Sequence, residues 1–196
     1  MNDNALFNLM YGLYVVTSND GSNYNALIVN SFFQITYNTT LVAVTINKNS
    51  YSHDVIKQTK KLNVCPLTEK APFSLFSELG FKSGRDYDKL KDFSVTTVSN
   101  GLCILNEYIN SYLCLEVVSY TDLPTHGMFI CKVTENKVLN NETTMTYSYY
   151  TKNVKPNKQA KGYVCTICGY VHESDTLDED FICPWCTHGA QYFEKL

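Results

Sequence analysis

Hydrophobic segments rich in β-branched and aromatic residues recur through residues 12 to 135 and are separated by polar stretches. This pattern is typical of β-strands, because branched and aromatic side chains pack well on a pleated surface. The pattern predicts six strands, at Gly12–Ser18, Asn23–Ser31, Leu41–Ile46, Leu62–Leu67, Tyr112–Tyr120 and Met128–Glu135.

Helical patterns are few and short. One is predicted at Ala5–Met10 and a second at Ser52–Lys61, after serine residues of the capping type. A third is predicted at Pro72–Leu79, which begins with proline and stops at a glycine. Parallel strands need crossover connections, which are usually helical, and this chain has few helices to supply them. We therefore expect a mainly β fold in which antiparallel strands form a barrel.

A lysine-rich stretch separates the β-rich region from the end of the chain. Residues 151–161, TKNVKPNKQAK, contain four lysines, one proline and no acidic residue. This composition is typical of an exposed linker. We therefore predict a domain at residues 1–150, a linker at residues 151–161 and a small second domain at residues 162–196.

Half of the eight cysteines lie in the small C-terminal region and form two Cys-x-x-Cys pairs. The pairs are Cys165 with Cys168 and Cys183 with Cys186, and fourteen residues separate them. Two such turns facing each other present four thiolates in a tetrahedron, which suits zinc or an iron centre. Disulfides are the competing interpretation, and the lack of a secretory signal argues against them.

The other four cysteines show no pairing pattern. They lie in or near predicted strands at apolar positions: Cys65, Cys103, Cys114 and Cys131. Free cysteine behaves as a small hydrophobic residue in such places, so we expect buried and unreactive thiols.

The net charge of −3 conceals an asymmetry between the two parts of the chain. Residues 1–161 carry 15 Lys and Arg against 13 Asp and Glu, whereas residues 162–196 carry one lysine against six acidic residues. An acidic module argues against nucleic-acid binding, which needs a basic surface. It suits docking on a basic face of a redox partner, although the solubility of a small domain explains the charge equally well.

The first residues, MNDNALFNLMYGLY, contain neither the basic start of a secretion signal nor an apolar run long enough to span a membrane. With 44% hydrophobic residues the chain can bury a real core. We expect a soluble protein of the cytoplasm, where thiols stay reduced.

The surroundings of the paired cysteines resemble rubredoxin. The matching segments are residues 163–171 (YVCTICGYV), 183–186 (CPWC) and 193–195 (FEK), with aromatic residues at positions 163, 170, 181, 185 and 193. The short spacer is similar to that of the rubredoxin domains in rubrerythrin-type proteins. The resemblance implies mononuclear iron, with structural zinc as the alternative.

One residue departs from the rubredoxin pattern. Glycine usually follows the fourth cysteine, and this chain has Thr187 there, with Gly189 two positions later. A residue with a Cβ atom adopts a positive φ less readily than glycine. We therefore expect the second cysteine turn to be distorted.

Polar residues gather at the ends of predicted strands and helices in the larger region, which contains no glycine-rich phosphate motif. The clusters are residues 30–34 (NSFFQ), 47–53 (NKNSYSH) and 81–86 (FKSGRD). Serine hydroxyls at a helix N-terminus beside Lys or Arg form a ready phosphate site. The same residues suit helix caps and solvated turns equally well, and their spacing leaves both interpretations open.

Residues 1 to about 155 resemble the flavin reductase-like, FMN-binding split-barrel family, in the branch in which a rubredoxin follows. The matching segments are residues 11–18 (YGLYVVTS), 30–36 (NSFFQIT), 80–86 (GFKSGRD), 125–129 (THGMF) and 147–150 (YSYY). The resemblance implies a six-stranded antiparallel split barrel that forms a homodimer, with FMN near the subunit interface.

The resemblance also implies roles for individual residues. Those implied to line the isoalloxazine ring are Asn30, Ser31, Phe32 and Gln34, and those implied to hold the ribityl phosphate are Asn47, Ser50, Ser52, His53, Lys82, Ser83 and Arg85. His126 is implied to lie near the flavin face on which nicotinamide docks. The alternatives are that Phe32 belongs to the core, that Arg85 pairs with Asp86 or Asp88, and that His126 forms hydrogen bonds at a strand edge.

Together the two resemblances imply an electron-transfer flavoenzyme. NAD(P)H would reduce FMN, the flavin would pass single electrons to the four-cysteine iron, and the iron would reduce a partner. In this family the implied partner is a flavodiiron protein that reduces O2 or NO. Two alternatives stay open: a plain flavin reductase with a structural zinc tail, and an electron relay that another protein reduces.

Overall fold

The computed structural model describes residues 8–156 and 161–196. The larger region contains the strands β1 (Tyr14–Asn19), β2 (Tyr24–Val29), β3 (Phe32–Thr36), β4 (Leu41–Asn47), β5 (Lys61–Pro66), β6 (Val95–Thr97), β7 (Cys103–Leu105), β8 (Ser111–Asp122) and β9 (His126–Val138). Its helices are α1 (Tyr51–Thr59), α2 (Phe73–Phe81) and the single turn α3 (Tyr147–Tyr149), which continues as a π-helix at Tyr150–Val154. The C-terminal module contains β10 (Tyr163–Cys165), β11 (Val171–His172), a 3₁₀ turn (Ala190–Tyr192) and β12 (Phe193–Lys195).

Seven strands form one antiparallel sheet in the order β2-β1-β5-β8-β9-β4-β3. The edge strands β2 and β3 are separated in sequence only by Asn30 and Ser31. A flat sheet of seven strands would hold its edges roughly 28 Å apart, whereas two connecting residues span only about 11 Å. The sheet must therefore curl until its edges meet, which makes it a split barrel.

The predicted mainly β, antiparallel class is confirmed, but the implied number of six strands is wrong. The additional strand is β3, Phe32–Thr36, which pairs with β4. The sequence analysis assigns most of its residues to a polar ligand cluster, although four of the five are aromatic or β-branched. Strand-forming residues beside an uncovered edge take part in the sheet because this satisfies their backbone hydrogen bonds.

The sheet separates two cores because successive residues of a strand point to opposite faces. Val15 and Val16 are both fully buried, but they belong to different cores. Helix α2 covers the first core with Leu75, Phe76 and Leu79, and the second core also receives Ile56 of α1. Cys65, Cys103, Cys114 and Cys131 are buried and free, as expected, and burial raises the pKa of the Cys131 thiol to about 12.

The remaining element predictions hold to within a few residues, with two exceptions. Half of the helix predicted at Ala5–Met10, residues 5–7, lies outside the described residues, and the short hairpin β6–β7 was not predicted. In the predicted linker, residues 151–154 continue a helix, and the Lys155 N–H donates to the Tyr150 carbonyl at 2.8 Å. Within the described ranges, no helix has the length and apolar character that crossing a membrane requires.

The C-terminal module is a three-stranded antiparallel sheet in the order β11-β10-β12. It packs against α2 of the barrel, where the rings of Phe73 and Trp185 lie 4.6 Å apart. Phe81, at the end of α2, contacts the cluster formed by the paired cysteines. These contacts place the module beside the barrel rather than at a distance from it.

Candidate functional site

The four paired cysteines converge at the centre of the C-terminal module. Their sulfurs all lie within 4.8 Å of one another, and the Cys165–Cys186 and Cys168–Cys183 pairs are 3.6 and 3.5 Å apart. A disulfide bond measures about 2.05 Å, whereas four sulfurs at about 2.3 Å from one tetrahedral ion lie about 3.8 Å apart. The sulfur positions therefore fit a single tetrahedral metal ion.

The thiols of this cluster are buried and cannot all ionise without a cation. Burial raises the pKa of Cys186 to about 12, and burial together with the neighbouring sulfurs raises the pKa of Cys168 still further. Although burial opposes it, the backbone N–H groups of Cys168 and Ile167 hold the pKa of the Cys165 thiol below its usual range. A bound cation supplies the charge that lets all four thiolates form.

The two cysteine turns have the same backbone geometry. After the first pair, Gly169 has a φ of 83° and its N–H donates to the Cys165 carbonyl at 2.8 Å. After the second pair, Thr187 has a φ of 61° and its N–H donates to the Cys183 carbonyl at 2.9 Å. The prediction that the second turn is distorted is therefore wrong, because Thr187 adopts the same left-handed conformation as Gly169.

Two adjoining cavities, of about 300 and 630 Å³, open at the split of the barrel. Both are lined by Asn30, Ser31, Thr45, His126 and Tyr147. Ser31 is fixed at the split because its carbonyl accepts from the Thr45 N–H at 3.1 Å and its hydroxyl pairs with the Thr45 hydroxyl. Cavities of this size and mixed polarity suit a cofactor.

The smaller cavity brings together four of the residues predicted from the sequence. Asn47 joins Asn30, Ser31 and His126 in its wall. The sheet explains this grouping, because Asn47 at the end of β4 lies opposite His126 at the start of β9. Asn30 lies 17 residues before Asn47, and Asn47 lies 79 residues before His126, so the fold rather than the local sequence brings them together.

The two other residues implied to line the flavin ring lie elsewhere. The Phe32 ring packs edge-on against Tyr14 at 5.0 Å and contacts the second core. Gln34 is exposed on β3, and its amide donates to the Thr36 carbonyl at 3.0 Å. This geometry supports the alternative in which Phe32 belongs to the core.

The predicted residues around the start of α1 are engaged in different ways. Ser50 precedes the helix and its side chain forms no capping bond. Ser52 is buried and accepts from the Asn25 amide at 2.6 Å. His53 is also buried, with Nδ1 at 2.9 Å from Asp54 and Nε2 at 3.1 Å from the Tyr120 hydroxyl. The side chains of Ser52 and His53 are therefore engaged in hydrogen bonds within the protein.

The predicted cations after α2, Lys82 and Arg85, line neither of the two cavities at the split. Lys82 donates to Glu78 at 2.7 Å, and Ser83 accepts from the Arg85 N–H at 3.2 Å. Arg85 donates to Asp54 at 3.2 Å rather than to the aspartates that follow it in sequence. It lines a third cavity, of about 590 Å³, together with three aspartates, Asp20, Asp86 and Asp88.

Several residues of the smaller cavity were not singled out from the sequence. Tyr150 and Lys155 come from the segment after α3, Phe81 comes from α2, and Ile167 comes from the first cysteine turn. Tyr150 belongs to the YSYY segment, which was noted but given no role. Nothing in the local sequence of Lys155 or Ile167 indicates a cavity. Lys155 reaches it from the π-helical turn of the barrel, and Ile167 reaches it through the docking of the module.

Comparison with known proteins gives both parts of the chain a family. Residues 6–158 match the flavin reductase-like domain, and residues 163–194 match the rubredoxin-like domain of rubrerythrin. The chain belongs to the flavin reductase-like family. A high molecular weight rubredoxin of Moorella thermoacetica is 32% identical over the full length of both chains, so the chain also belongs with proteins of that type.

Two further relatives share the larger domain. The ferric-chelate reductase (NAD(P)H) of Archaeoglobus fulgidus is 26% identical over 76% of this chain and 89% of its own length. The solved structure of the NADH:FAD oxidoreductase of Streptomyces globisporus has a TM-score of 0.67 at 15% identity, over 74% of this chain and 85% of that chain. The second likeness concerns the fold alone.

Family membership connects the two sites to their cofactors. A flavin reductase-like domain implies a flavin, and a rubredoxin-like domain with four cysteines implies iron. The residues present suit both groups, since the sulfurs fit one metal ion and the cavity at the split has the size of a cofactor site. The chain is a flavoprotein oxidoreductase with a second, metal-based electron carrier.

Proposed function

We propose that the protein carries electrons from NAD(P)H through FMN to a four-cysteine iron centre and then to a redox partner. The observation that supports this most is the position of Ile167. This residue lies between the ligands Cys165 and Cys168, and it lines the same cavity as Asn30 and His126. The proposed flavin site and the proposed metal ligands are therefore neighbours within one chain.

The flavin ring is proposed to lie at the split of the barrel, against Asn30, Ser31 and Asn47. The phosphate is proposed to lie toward the N-terminus of α1, where Ser50 makes no capping bond and the helix dipole is positive. Arg85 is the proposed cation for it, and its partner Asp54 lies on the same helix. Ser52, His53, Lys82 and Ser83 then support these groups through the hydrogen bonds that they already form.

His126 is proposed to orient the nicotinamide. It lines both cavities, and its Nδ1 lies 2.8 Å from the Thr125 hydroxyl, which holds the ring in place. The larger cavity continues past His126 to Leu123 and Pro124, so an apolar ring fits beside the flavin position. When bound, FMN accepts a hydride and releases the two electrons singly, which is what a one-electron metal centre requires.

A flavodiiron protein that reduces O2 or NO is the proposed electron acceptor. Residues 162–196 carry six acidic residues and one lysine, which favours docking on a basic surface. Ile182, next to Cys183, is 56% exposed, and Tyr192 is also exposed. Ile182 pairs with Gly189, and the Tyr192 N–H donates to the Gly189 carbonyl, so both side chains lie near the second cysteine turn, which is the proposed exit for electrons.

The protein is proposed to form a homodimer. Strand β3 lies at the edge of the sheet, and its residues Phe33 and Ile35 are exposed, as is the following Tyr37. Apolar residues on an uncovered edge strand favour association with another chain. Because β3 begins directly after Asn30 and Ser31, such a dimer would place the flavin near the interface.

Anaerobic stopped-flow absorption tests the proposal. The protein loaded with FMN and iron is mixed with NADH or NADPH, and we expect loss of the flavin band followed by loss of the iron band. The control is the same protein without FMN, in which NAD(P)H should leave the iron oxidised. Purified protein that binds zinc and shows no iron band would instead be a plain flavin reductase. If neither nucleotide bleaches the flavin, another protein must supply the electrons.

A further inference from the structure

Lys155 lies between the proposed flavin cavity and the metal module. It lines the smaller cavity together with Asn30 and His126. The end of its side chain also passes over Gly169 of the first cysteine turn. A Cβ atom at Gly169 would lie 2.8 Å from Cε of Lys155 and 3.5 Å from its Nζ. The ammonium group is therefore next to the residue that follows the ligand Cys168.

The charge of Lys155 is not neutralised by a carboxylate. Some other lysines pair with acids, as Lys48 does with Asp122 at 3.0 Å and Lys82 with Glu78 at 2.7 Å. Within residues 8–156 and 161–196, no carboxylate lies at ion-pair distance from Lys155. The side chain is half-buried, so solvent screens its charge only in part.

The backbone that carries Lys155 belongs to the barrel and is well anchored. Tyr150–Val154 form a π-helical turn, which ends with the bond from the Lys155 N–H to the Tyr150 carbonyl. Such turns are rare and frequently occur at functional sites. Tyr150 is buried, and its ring packs at a tilt against the ring of Phe76 of α2, with 4.4 Å between the ring centroids. The barrel therefore positions the ammonium group of Lys155 against the C-terminal module.

We propose that Lys155 raises the reduction potential of the four-cysteine iron centre, a role that rests on the function proposed above. Four thiolates give the oxidised centre a net charge of −1 and the reduced centre a net charge of −2. A nearby cation stabilises the more negative state, and the effect is larger where water is partly excluded. Lys155 thus makes the metal a better acceptor for electrons that arrive from the cavity it also lines.

The test is an equilibrium redox titration of the full-length protein containing iron. Dye mediators and a chemical reductant are used, and the visible absorption of the iron is followed, so neither nicotinamide nor flavin chemistry is needed. We expect Lys155→Met to make reduction less favourable by about tenfold, which is about 59 mV for one electron. Lys155→Arg keeps the charge and should keep the potential. The matched control Lys152→Met removes an exposed lysine of the same turn and should have no effect.

The difference between wild type and Lys155→Met should shrink as salt is added, because salt screens a partly exposed charge. An unchanged potential in Lys155→Met overturns the proposal, and so does an equal shift in Lys155→Arg, which would reflect lost packing. Weaker FMN binding with an unchanged potential would assign Lys155 to the flavin site and overturn it as well. If Lys155→Met does not fold, Lys155→Gln and the salt dependence of the wild-type potential decide the question. Wild-type protein that shows no iron absorption would overturn the proposed function as well as the role of Lys155. An unchanged potential in Lys155→Met overturns only the role of Lys155, so the two failures can be distinguished.

Discussion

The barrel and the C-terminal module are stabilised by different interactions. The barrel buries large side chains completely, among them Phe129, Ile46 and Leu115. In residues 161–196, the buried residues are Val164, Gly169 and the four paired cysteines. Hydrophobic burial therefore accounts for the barrel, whereas the module depends on the metal that its sulfurs hold.

The module compensates in part for its few buried residues by packing aromatic rings around the sulfurs. Tyr170, Trp185 and Phe193 are partly buried against the cysteine cluster, and α2 adds Phe81 from the barrel. These rings shield the site from water but leave few apolar contacts if the sulfurs separate. Short chains bury too little surface to fold by hydrophobic contacts alone. The comparison thus predicts that the two regions respond separately to loss of metal.

Metal removal should have the largest effect and should be confined to the module. Trp185 is the only tryptophan of the chain, so its fluorescence reports on this region alone. We expect a strong chelator to unfold residues 161–196 and change the Trp185 emission, while the far-UV circular dichroism of the barrel persists. Adding iron back should restore the emission. A metal-free protein in which Trp185 still shows cooperative unfolding would contradict the comparison.

The second prediction separates the two regions functionally. Cys186→Ser replaces one thiolate with a hard hydroxyl, which is a poor ligand for this centre. The variant should bind FMN and be reduced by NAD(P)H at a near-native rate, because the barrel is intact. Electron transfer to the redox partner should collapse. Both rates are measured by anaerobic absorption spectroscopy.

The matched control for this experiment is Cys131→Ala, which removes a buried cysteine of the barrel and no ligand. It should keep the iron band and partner reduction. If the Cys186→Ser protein reduces the partner as fast as wild type does, the flavin reacts with the partner directly and the metal serves only to fold the module.

The third prediction concerns a residue of the barrel. If Arg85 holds the phosphate, Arg85→Ala should weaken FMN binding about tenfold or more and riboflavin binding much less, since charge-assisted bonds contribute about 1.5–3 kcal/mol. Fluorescence titration with both ligands measures this. The control Lys91→Ala removes an exposed cation that pairs with Asp92. Equal losses for the two ligands would show that Arg85 acts through its bond to Asp54.

Local patterns predicted most elements of the barrel and the four sulfur ligands of the module, but no strand of the module. Helix α1 spans Tyr51–Thr59, close to the predicted Ser52–Lys61, because signals for a helix start act over a few positions, although the Ser50 side chain forms no capping bond. Cysteine spacing likewise indicated the four sulfurs that converge. Strand β3 was missed since its role depends on an open edge of the sheet, which is a long-range property.

The composition of the candidate site was harder to predict. Asn30 and His126 meet through the register of the sheet, and their grouping could be expected only from the family resemblance. Ser52 and His53 belong to the same sequence cluster as Asn47 but point to the interior, where Asn25 and Tyr120 bind them. Lys155 reaches the site from a π-helical turn and Ile167 from the docked module, and no short pattern encodes either placement.

The smallest predicted effects are those of substitutions in the two cysteine turns. Gly169 and Thr187 share a positive φ, but a side chain in this region costs about 1–2 kcal/mol, so only the second turn carries strain. Thr187→Gly should raise the free energy of unfolding of the metal-loaded module, by less than about 1 kcal/mol because glycine also gains entropy in the unfolded chain. Gly169→Ala should lower it by about 1 kcal/mol and displace Lys155. Denaturant unfolding followed by Trp185 fluorescence measures both changes.

The control for this experiment is Thr187→Ala, which keeps the strain but loses a hydrogen bond, because the Thr187 hydroxyl donates to the Cys186 carbonyl at 2.7 Å. If Thr187→Gly destabilises the module as much as Thr187→Ala does, that hydrogen bond outweighs the strain and explains why threonine is tolerated in the second turn.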